Sequence, residues 1–415
     1  MTDFALNKTG GVASPSGFQS VAAKAGIKTS GEADMALVVS EQPAAAAGAF
    51  TSNEFAASSV RYNQEVLQNP DVRIRALFVN SGCANACTGR RGDKDTRSIA
   101  ELVAEALEVE RHEVLVCSTG RIGSFLPMSS IKKAVENVAG QLSKAHADSG
   151  LNAARAIMTT DTRPKSVALT LNLAGKTVTI GGMCKGAGMI APQLKPVVPH
   201  ATMLAFLTTD ANVESSFLSE CLEESLSESF NRITVDGDSS TNDSVIALAN
   251  GCSATEQIDV SHPEAGMFKK GFSYVMQFLA EEIVRDGEGA TRFVEVQVKE
   301  AASAADAKKC AHAVADSMLC KTAWFGGDPN WGRILAAAGC AGVRIEPGKT
   351  GIKFNGVPAV VNGIAAETKE EELRGAVEKA EIRVELTLGC GWEEYTAWTC
   401  DLSYDYVKIN AEYHT

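Results

Sequence analysis

The sequence of 415 residues has little of what marks nucleic-acid-binding or membrane proteins. Acidic residues outnumber basic ones, and the net charge of −12 argues against binding to a phosphate backbone, which requires clustered lysine and arginine. No apolar stretch is long enough to span a bilayer. Residues 1–18 lack a basic segment followed by an apolar one, so we predict no secretory signal. We therefore expect a cytoplasmic protein that binds neither nucleic acid nor a membrane.

The eleven cysteines lack the spacing of a metal site. Cys83 and Cys87 are the closest pair, and neither a second such pair nor histidine partners accompany them. We interpret most of the cysteines as small buried hydrophobes in a reducing compartment. The sequence thus predicts no metal ion, and we expect no cofactor.

What the sequence has is a globular composition, with 45% apolar and 22% charged residues. Strand-like and helix-like segments alternate without a repeat. Residues 72–80 and 113–119 are typical of buried strands, and residues 166–182 alternate on both sides of Ala174-Gly175-Lys176, which predicts a hairpin. These segments predict an α/β fold of layered sheets and helices, although their order alone does not fix the topology.

Further local patterns predict individual elements. Ser129 or Ser130 is the expected cap of a helix, and a second helix is expected to start near Asn330. Residues 291–301 alternate as a strand does, and residues 371–389 read as a helix that runs into a strand. Residues 237–244 look like a polar turn. The chain ends on the alternating residues 403–415, which predicts a packed terminus close to the site.

The apolar run Met203–Leu207 follows directly on Ala201-Thr202. A threonine hydroxyl is a poor nucleophile without an adjacent base. If the bond before Thr202 were broken, its own α-amine, with a reference pKa near ~8, could be that base. The small Ala201 leaves its carbonyl accessible to attack by Thr202. The dipeptide alone favours a plainer interpretation, a threonine that begins a strand.

Other candidate groups stand beside predicted strands. Thr119 and Gly120 can offer a hydroxyl and a closely approaching backbone N–H, which together suit an oxyanion hole for acyl transfer. Lys185 precedes Gly186 and is placed to meet an anionic substrate group or to support the nucleophile. Glu288 lies between two glycines and can offer a carboxylate to a substrate amino group. Turns and solvated side chains are the alternatives that these patterns leave open.

Eight stretches, taken in their order along the chain, resemble one family. It is that of the ornithine acetyltransferases (glutamate N-acetyltransferases) of arginine biosynthesis, which belong to the DmpA/ArgJ-like group of self-cleaving enzymes. The stretches span nearly the whole chain and read STGRIG, IMTTDTRPK, IGGMCKGAGMIAP, ATMLAFLTTD, DGDSSTNDSVIALANG, VRDGEGATRFVEV, DPNWGRILAA and CDLSYDYVKINAEYHT.

The resemblance implies cleavage between Ala201 and Thr202, which gives an α chain of residues 1–201 and a β chain of residues 202–415. It implies that Thr202 takes the acetyl group from N-acetylornithine and passes it to glutamate in a ping-pong reaction. Cleaved protomers of the family assemble as α2β2. Thr119 and Gly120 fall on the oxyanion-hole positions, and the substrate-binding positions fall on Thr159, Lys185, Thr202, Glu288, Asn410 and Thr415.

The chain departs from the family pattern before the expected cleavage position. Eight residues separate Pro192 from Ala201 where the family usually has two, so residues 193–198 are additional. His200 replaces a common methionine, and Arg121 replaces a common apolar residue. Loops tolerate such insertions, but this one can alter strain or register at Ala201.

Three further interpretations stay open. Some members of the family also use acetyl-CoA to acetylate glutamate, and the residues do not distinguish the two kinds of member. An amidase or aminopeptidase would use the same Thr202 with water as the acceptor. An uncleaved, inactive relative would instead serve as a binding or assembly protein.

Overall fold

A computed structural model describes residues 4–140, 142, 149–192, 194–196 and 203–412. The strands in these residues are β1 (Ala5–Asn7), β2 (Phe18–Ala23), β3 (Met35–Phe50), β4 (Ile74–Cys83), β5 (Val114–Arg121), β6 (Lys165–Leu173), β7 (Lys176–Lys185), β8 (Lys195–Pro196), β9 (Leu204–Thr209), β10 (Ser244–Ala249), β11 (Phe293–Ala301), β12 (Gly351–Phe354), β13 (Val357–Val361), β14 (Ile364–Ala365), β15 (Glu381–Thr387) and β16 (Glu393–Cys400).

The helices in the same residues are α1 (Ser58–Leu67), α2 (Gly89–Leu107), α3 (Met128–Ala139), α4 (Ser149–Ala156), α5 (Ser215–Glu228), α6 (Ala265–Arg285), α7 (Ala304–Ala315), α8 (Met318–Phe325), α9 (Trp331–Gly339), α10 (Glu370–Val377) and α11 (Tyr404–Glu412). Helices and strands together confirm the predicted α/β class. Within the described ranges, no helix combines the length and the apolar character that crossing a membrane requires.

The larger sheet takes strands from both sides of the predicted cleavage position. Its order is β1-β6-β7-β9-β10-β3-β4-β5, and β2 and β8 also pair with β3. Strand β9 runs antiparallel to β7 and parallel to β10, so that Lys185 and Ser244 both pair with Leu204. Segments 1–201 and 202–415 therefore contribute neighbouring strands to one sheet.

Apolar side chains cover both faces of this sheet. On one face, helix α6 packs against β6 and β7 with Phe268, Phe272, Met276 and Leu279 buried. The other face buries alternate residues of the neighbouring strands β9 and β10, such as Phe206 and Ile246. Strands that are covered on both faces read as continuous apolar runs, which explains the Met203–Leu207 stretch.

The smaller sheet has the order β14-β13-β12-β15-β11-β16. Helices α7, α8 and α9 cover it through a second core that includes Trp324, Ile334 and Phe354. It is joined to the larger sheet by α6, whose following loop, residues 286–292, leads into β11. That loop carries Glu288.

The structure confirms most of the local predictions. Strands β4, β5, β11 and β15 and helix α10 lie where the patterns placed them. In the predicted hairpin, Leu173 pairs with Lys176, and Ala174 and Gly175 both have positive φ angles of 48° and 81°. Two positive φ angles are typical of the two-residue turns that match the twist of a hairpin. Asn330 caps α9, since its side-chain oxygen accepts the N–H of Arg333 at 3.2 Å.

Two local predictions were wrong. Helix α3 begins at Met128 behind Pro127, so Ser129 and Ser130 lie inside its first turn. The carbonyl of Pro127 accepts the N–H groups of Ser130 and Ile131, so the proline takes the cap position that the serines were expected to hold. The alternating end of the chain forms the helix α11, in which no residue is buried, so the predicted packing was wrong. Its predicted position is confirmed, since Tyr406 and Asn410 lie beside Lys185 and Glu288.

The additional residues 193–198 lie partly inside the described chain. Lys195 and Pro196 form β8, which pairs with Phe50 and Ala49 at the end of β3. The neighbouring Leu194 is held by the side-chain amide of Asn231. The amide oxygen accepts the Leu194 N–H at 2.5 Å, and the amide nitrogen donates to the Leu194 carbonyl at 2.8 Å. Residues 193 and 197–198 are outside the described ranges.

Candidate active site

A small cavity lies where the ends of β5 and β7 meet the loops before β6 and after α6, with α11 on its remaining side. Its volume is about 120 Å³. The cavity is lined by every predicted site residue within the described ranges, namely Thr119, Gly120, Thr159, Lys185, Glu288 and Asn410. The other predicted residues, Ala201, Thr202 and Thr415, lie outside the described ranges.

Strand pairing explains why Lys185 lies beside the segment that follows Thr202, whereas Thr119 and Gly120 come from the other end of the strand order. Lys185 is the last residue of β7 and pairs with Leu204, the first residue of β9. Thr202 stands two positions before Leu204 in the sequence. Thr119 and Gly120 stand near the end of β5, at the far edge of the same sheet.

Thr119 and Lys185 are both buried and contact each other. The Lys185 ammonium donates to the Thr119 hydroxyl oxygen at 3.3 Å. An ammonium can only donate, so the threonine oxygen is the acceptor and its own hydrogen can point elsewhere. This arrangement leaves Thr119 able to donate to a negatively charged oxygen in the cavity.

Gly120 has a backbone conformation that other residues rarely adopt. Its φ is 123°, and a Cβ atom there would lie 2.4 Å from the carbonyl carbon of Gly82 on the neighbouring strand. Only glycine fits this position without moving β4. The two strands therefore approach each other closely at the wall of the cavity.

Lys185 is a cation in a nearly enclosed site, with 4% of its surface exposed. Burial lowers the pKa of its ammonium, and the carboxylate of Asp161 opposes this effect. A buried cation is stabilised by an anionic partner. A carboxylate group of a ligand in the cavity would supply such a partner.

Glu288 provides the opposite charge on the same cavity. The Asn410 side-chain amide donates to its carboxylate at 2.7 Å, and its own N–H donates to the Ala187 carbonyl at 2.8 Å. A Cβ atom at Gly188 would lie 2.4 Å from the Glu288 carboxylate. The absence of a side chain at Gly188 thus makes room for the Glu288 carboxylate.

Thr159 stands at the junction of two cavities. It lines the small cavity and also a larger one of about 990 Å³, to which Lys28 and Arg155 contribute cationic side chains. The N–H of Thr159 donates to the Asp161 carboxylate at 2.9 Å, which fixes its backbone.

Sequence reasoning missed Asp236 as a cavity residue. Its carboxylate accepts the N–H groups of Met189 and Ile190 at 2.6 and 2.9 Å, and the Tyr406 hydroxyl donates to it at 3.3 Å. Burial raises the pKa of the Asp236 carboxyl, although the N–H bonds oppose this effect. Asp236 therefore fixes the glycine-rich segment after Lys185 and connects it to α11.

Asn242 was assigned to a polar turn, but it is buried and holds two strand ends together. Its side-chain amide donates to the carbonyls of Ala84 and Ser118 at 2.6 and 2.8 Å. The signal in the sequence was the polar run of residues 237–244 between apolar segments. Arg121 is exposed and does not appear among the lining residues, whereas Ile122 does.

The described part of the chain holds no group of three or more histidine, cysteine, aspartate or glutamate residues arranged to bind a metal. A cation, a carboxylate and a threonine hydroxyl line one small space, and this combination suits a zwitterionic substrate and acyl transfer.

Known proteins resemble this chain over nearly its whole length. A family model described as the ArgJ family matches residues 19–415. The arginine biosynthesis bifunctional protein ArgJ of Oceanobacillus iheyensis is 41% identical over 413 residues, which cover 100% of this chain and 98% of that protein. The protein of the same name from Geobacter sulfurreducens is 46% identical over 400 residues, which cover 96% and 99%.

A solved relative is the ornithine acetyltransferase of Mycobacterium tuberculosis, whose crystal structure is a complex with ornithine. It is 46% identical in sequence, and the match covers 46% of this chain and 100% of that chain with a TM-score of 0.43. The family match and the curated relatives confirm the resemblance found in the sequence motifs. The chain belongs to the ArgJ family.

Proposed function

We propose that this protein is a glutamate N-acetyltransferase, which moves an acetyl group from N-acetylornithine to glutamate in arginine biosynthesis. The observation that carries the proposal is the pairing of Lys185 and Glu288 on one small cavity. N-acetylornithine has an α-carboxylate and a δ-ammonium, and glutamate has carboxylates and an α-amine. N-acetylornithine thus offers its carboxylate to Lys185 and its ammonium to Glu288, and glutamate offers a carboxylate to Lys185.

The proposed reaction begins with cleavage between Ala201 and Thr202. The freed α-amine of Thr202 takes the hydroxyl proton as the threonine oxygen attacks the acetyl carbonyl. The hydroxyl of Thr119 and the N–H of Gly120 donate to the resulting oxyanion. Collapse of this intermediate leaves acetyl-Thr202 and releases ornithine, whose amine takes the proton.

The second half of the reaction reverses these steps with another acceptor. The α-amine of glutamate attacks acetyl-Thr202, and the same oxyanion donors act again. Thr159, Lys185, Glu288, Asn410 and Thr415 hold the substrates in this proposal, and no cofactor takes part. The curated relatives are named bifunctional, and we extend the proposal to acetyl-CoA as a second acetyl donor.

The two proposed chains stay together after cleavage. Strands β9 and β10 of residues 202–415 lie between β7 and β3 of residues 1–201, so separating the chains would break the larger sheet. We extend the proposal to an α2β2 assembly in the cytoplasm, without nucleic-acid or membrane partners.

Intact mass spectrometry of the purified protein beside a Thr202→Ala variant tests the cleavage step. We expect two fragments from the wild type, divided between residues 201 and 202, and a single chain from the variant. Acetyl transfer to glutamate is then measured with N-acetylornithine and with acetyl-CoA separately. Transfer from both donors identifies a bifunctional enzyme.

Two results would contradict the proposal. Release of ornithine from N-acetylornithine at the same rate without glutamate would identify an amidase that uses water. An uncleaved wild-type chain without acetyl transfer would identify a binding protein. Membership of the ArgJ family favours neither outcome.

A further inference from the structure

Lys165 is a fully buried lysine behind the candidate active site. Its ammonium lies 2.6 Å from the carboxylate of Asp161 and 2.5 Å from that of Asp286. The three side chains are between 0% and 3% exposed. Burying a charge is costly unless it is paired, so this lysine and its two carboxylates form one interdependent unit.

The two carboxylates also hold the backbone of three segments around the cavity. Asp161 accepts the N–H of Thr159 at 2.9 Å and the N–H of Gly186 at 2.7 Å. Asp286 accepts the N–H of Thr162 at 3.1 Å. The Thr159 segment, the end of β7 after Lys185 and the loop that leads to Glu288 are therefore tied to one buried ammonium.

Asp161 stands under the influence of two cations, Lys165 and Lys185. Burial alone would raise the pKa of the Asp161 carboxyl, but the two ammonium groups and the Gly186 N–H hold it well below its usual range. Burial alone would lower the pKa of Lys165. The carboxylates of Asp161 and Asp286 have the larger effect, and the pKa of Lys165 is raised. Both charges of the pair persist at neutral pH.

We propose that Lys165 and Asp161 form a positioning pair, which fixes Thr159 and Lys185 and keeps the Lys185 ammonium available to the carboxylate of an amino-acid substrate. Lys165 occupies the carboxylates that would otherwise attract Lys185 away from Thr119 and out of the cavity. The identity of the substrate rests on the proposed function, whereas the positions of Thr159 and Lys185 do not.

The pKa of Lys185 responds to both members of this pair, so the pH dependence of substrate binding tests them. Burial lowers the pKa of Lys185, Asp161 raises it and Lys165 lowers it further. Asp243 is buried, and burial raises the pKa of its carboxyl, while its negative charge raises the pKa of Lys185. The charged groups that face Lys185 from the surrounding elements are Lys28, Asp161, Lys165, Asp243 and Glu288.

Opposite pH shifts are expected from the two members of the pair. Lys185 must be protonated to bind a carboxylate, so kcat/KM falls as pH rises through its pKa. Asp161→Asn removes the negative charge that raises the pKa of Lys185. We therefore expect the fall of kcat/KM at high pH, its alkaline limb, to move to lower pH. Lys165→Met removes a neighbouring positive charge, and we expect the limb to move to higher pH.

Both variants should also weaken substrate binding. Asp161→Asn weakens the bonds to the N–H groups of Thr159 and Gly186, and Lys165→Met removes the ammonium that holds Asp161. We therefore expect KM for N-acetylornithine to rise about tenfold or more while kcat changes less. Arg163→Gln is the matched control. Arg163 is half exposed and approaches the outer side of Asp286 at 3.9 Å, so neither KM nor the limb should change.

Circular dichroism establishes that each variant folds, and intact mass establishes whether it is cleaved. If Lys165→Met does not fold, the double variant Lys165→Met with Asp286→Asn removes one charge of each sign and should still move the limb to higher pH. Limbs that stay in place, or that move in the same direction in Asp161→Asn and in the lysine variant, would overturn the positioning pair.

The positioning pair can be tested even if the proposed function is wrong. If the wild-type protein does not transfer acetyl groups, calorimetric titration with N-acetylornithine at several pH values takes the place of kcat/KM. Binding whose alkaline limb moves in opposite directions in the two variants supports the pair in that case too. Binding with an unshifted limb overturns it.

Discussion

The side-chain amide of Asn410 donates a 2.7 Å hydrogen bond to the carboxylate of Glu288, across 122 positions of the chain. This bond joins α11 to the loop after α6. No residue of α11 is buried, so few contacts hold the helix. A second contact is the hydrogen bond that the Tyr406 hydroxyl donates to the Asp236 carboxylate. The last described helix therefore completes the cavity while contributing little to the core.

Removing the Asn410 amide should weaken substrate binding more than it weakens the fold. A hydrogen bond to a charged group contributes about 1.5–3 kcal/mol, so Asn410→Ala should raise KM for N-acetylornithine roughly tenfold or more. Steady-state kinetics and the melting temperature measure the two effects. Lys408→Ala, at an exposed position of the same helix, is the control and should leave both unchanged. Equal KM values for the two variants would contradict the role of Asn410.

Adding one methyl group at position 188 should displace the Glu288 carboxylate. A Cβ atom there would lie 2.4 Å from that carboxylate, so Gly188→Ala should lower kcat/KM by about tenfold or more. Gly266→Ala is the control, because a Cβ atom at Gly266 meets nothing within 4 Å and an alanine favours its helix. Unchanged kinetics of Gly188→Ala would show that Glu288 is not needed at its observed position.

Replacing Thr119 by valine tests the proposed oxyanion donor with little change of volume. Thr119→Val removes the hydroxyl, and loss of one such donor costs roughly 100-fold in kcat. Thr119→Ser keeps the hydroxyl and should retain most of the activity. The measurement is single-turnover formation of acetyl-Thr202, followed by intact mass. A valine variant that is as fast as the serine variant would exclude Thr119 as a donor.

The buried Asp243 should make stability depend on pH. Burial raises the pKa of its carboxyl in the folded state, so above the unfolded value near ~3.9 the unfolded chain binds fewer protons than the folded one. Stability contributed by this group therefore falls as pH rises from about 4 towards the raised pKa. Asp243→Asn removes this dependence.

Urea unfolding at pH 4 and pH 7 measures the effect of Asp243. The asparagine variant should gain stability relative to the wild type at pH 7 but not at pH 4. Asp71→Asn, in an exposed loop, is the control and should show no such difference. A constant difference between wild type and Asp243→Asn at both pH values would contradict the raised pKa.

The sequence by itself determined the local elements and the family. The hairpin at Ala174-Gly175 and the Asn330 cap follow from interactions between near neighbours, which a short stretch of sequence encodes completely. The ordered motifs likewise indicated Thr119, Lys185, Glu288 and Asn410, which the structure brings to one cavity. Thr202 and Thr415 remain predictions.

Only the tertiary structure decided the strand order and the groups behind the cavity. The insertion of β9 and β10 between β7 and β3 depends on pairings between distant segments, which periodicity does not specify. Lys165 looks like any surface lysine in its own segment, and it becomes a buried cation because Asp286, 121 positions away, packs against it. A side chain's charge environment is set by what folds around it, and that information is spread over the whole chain.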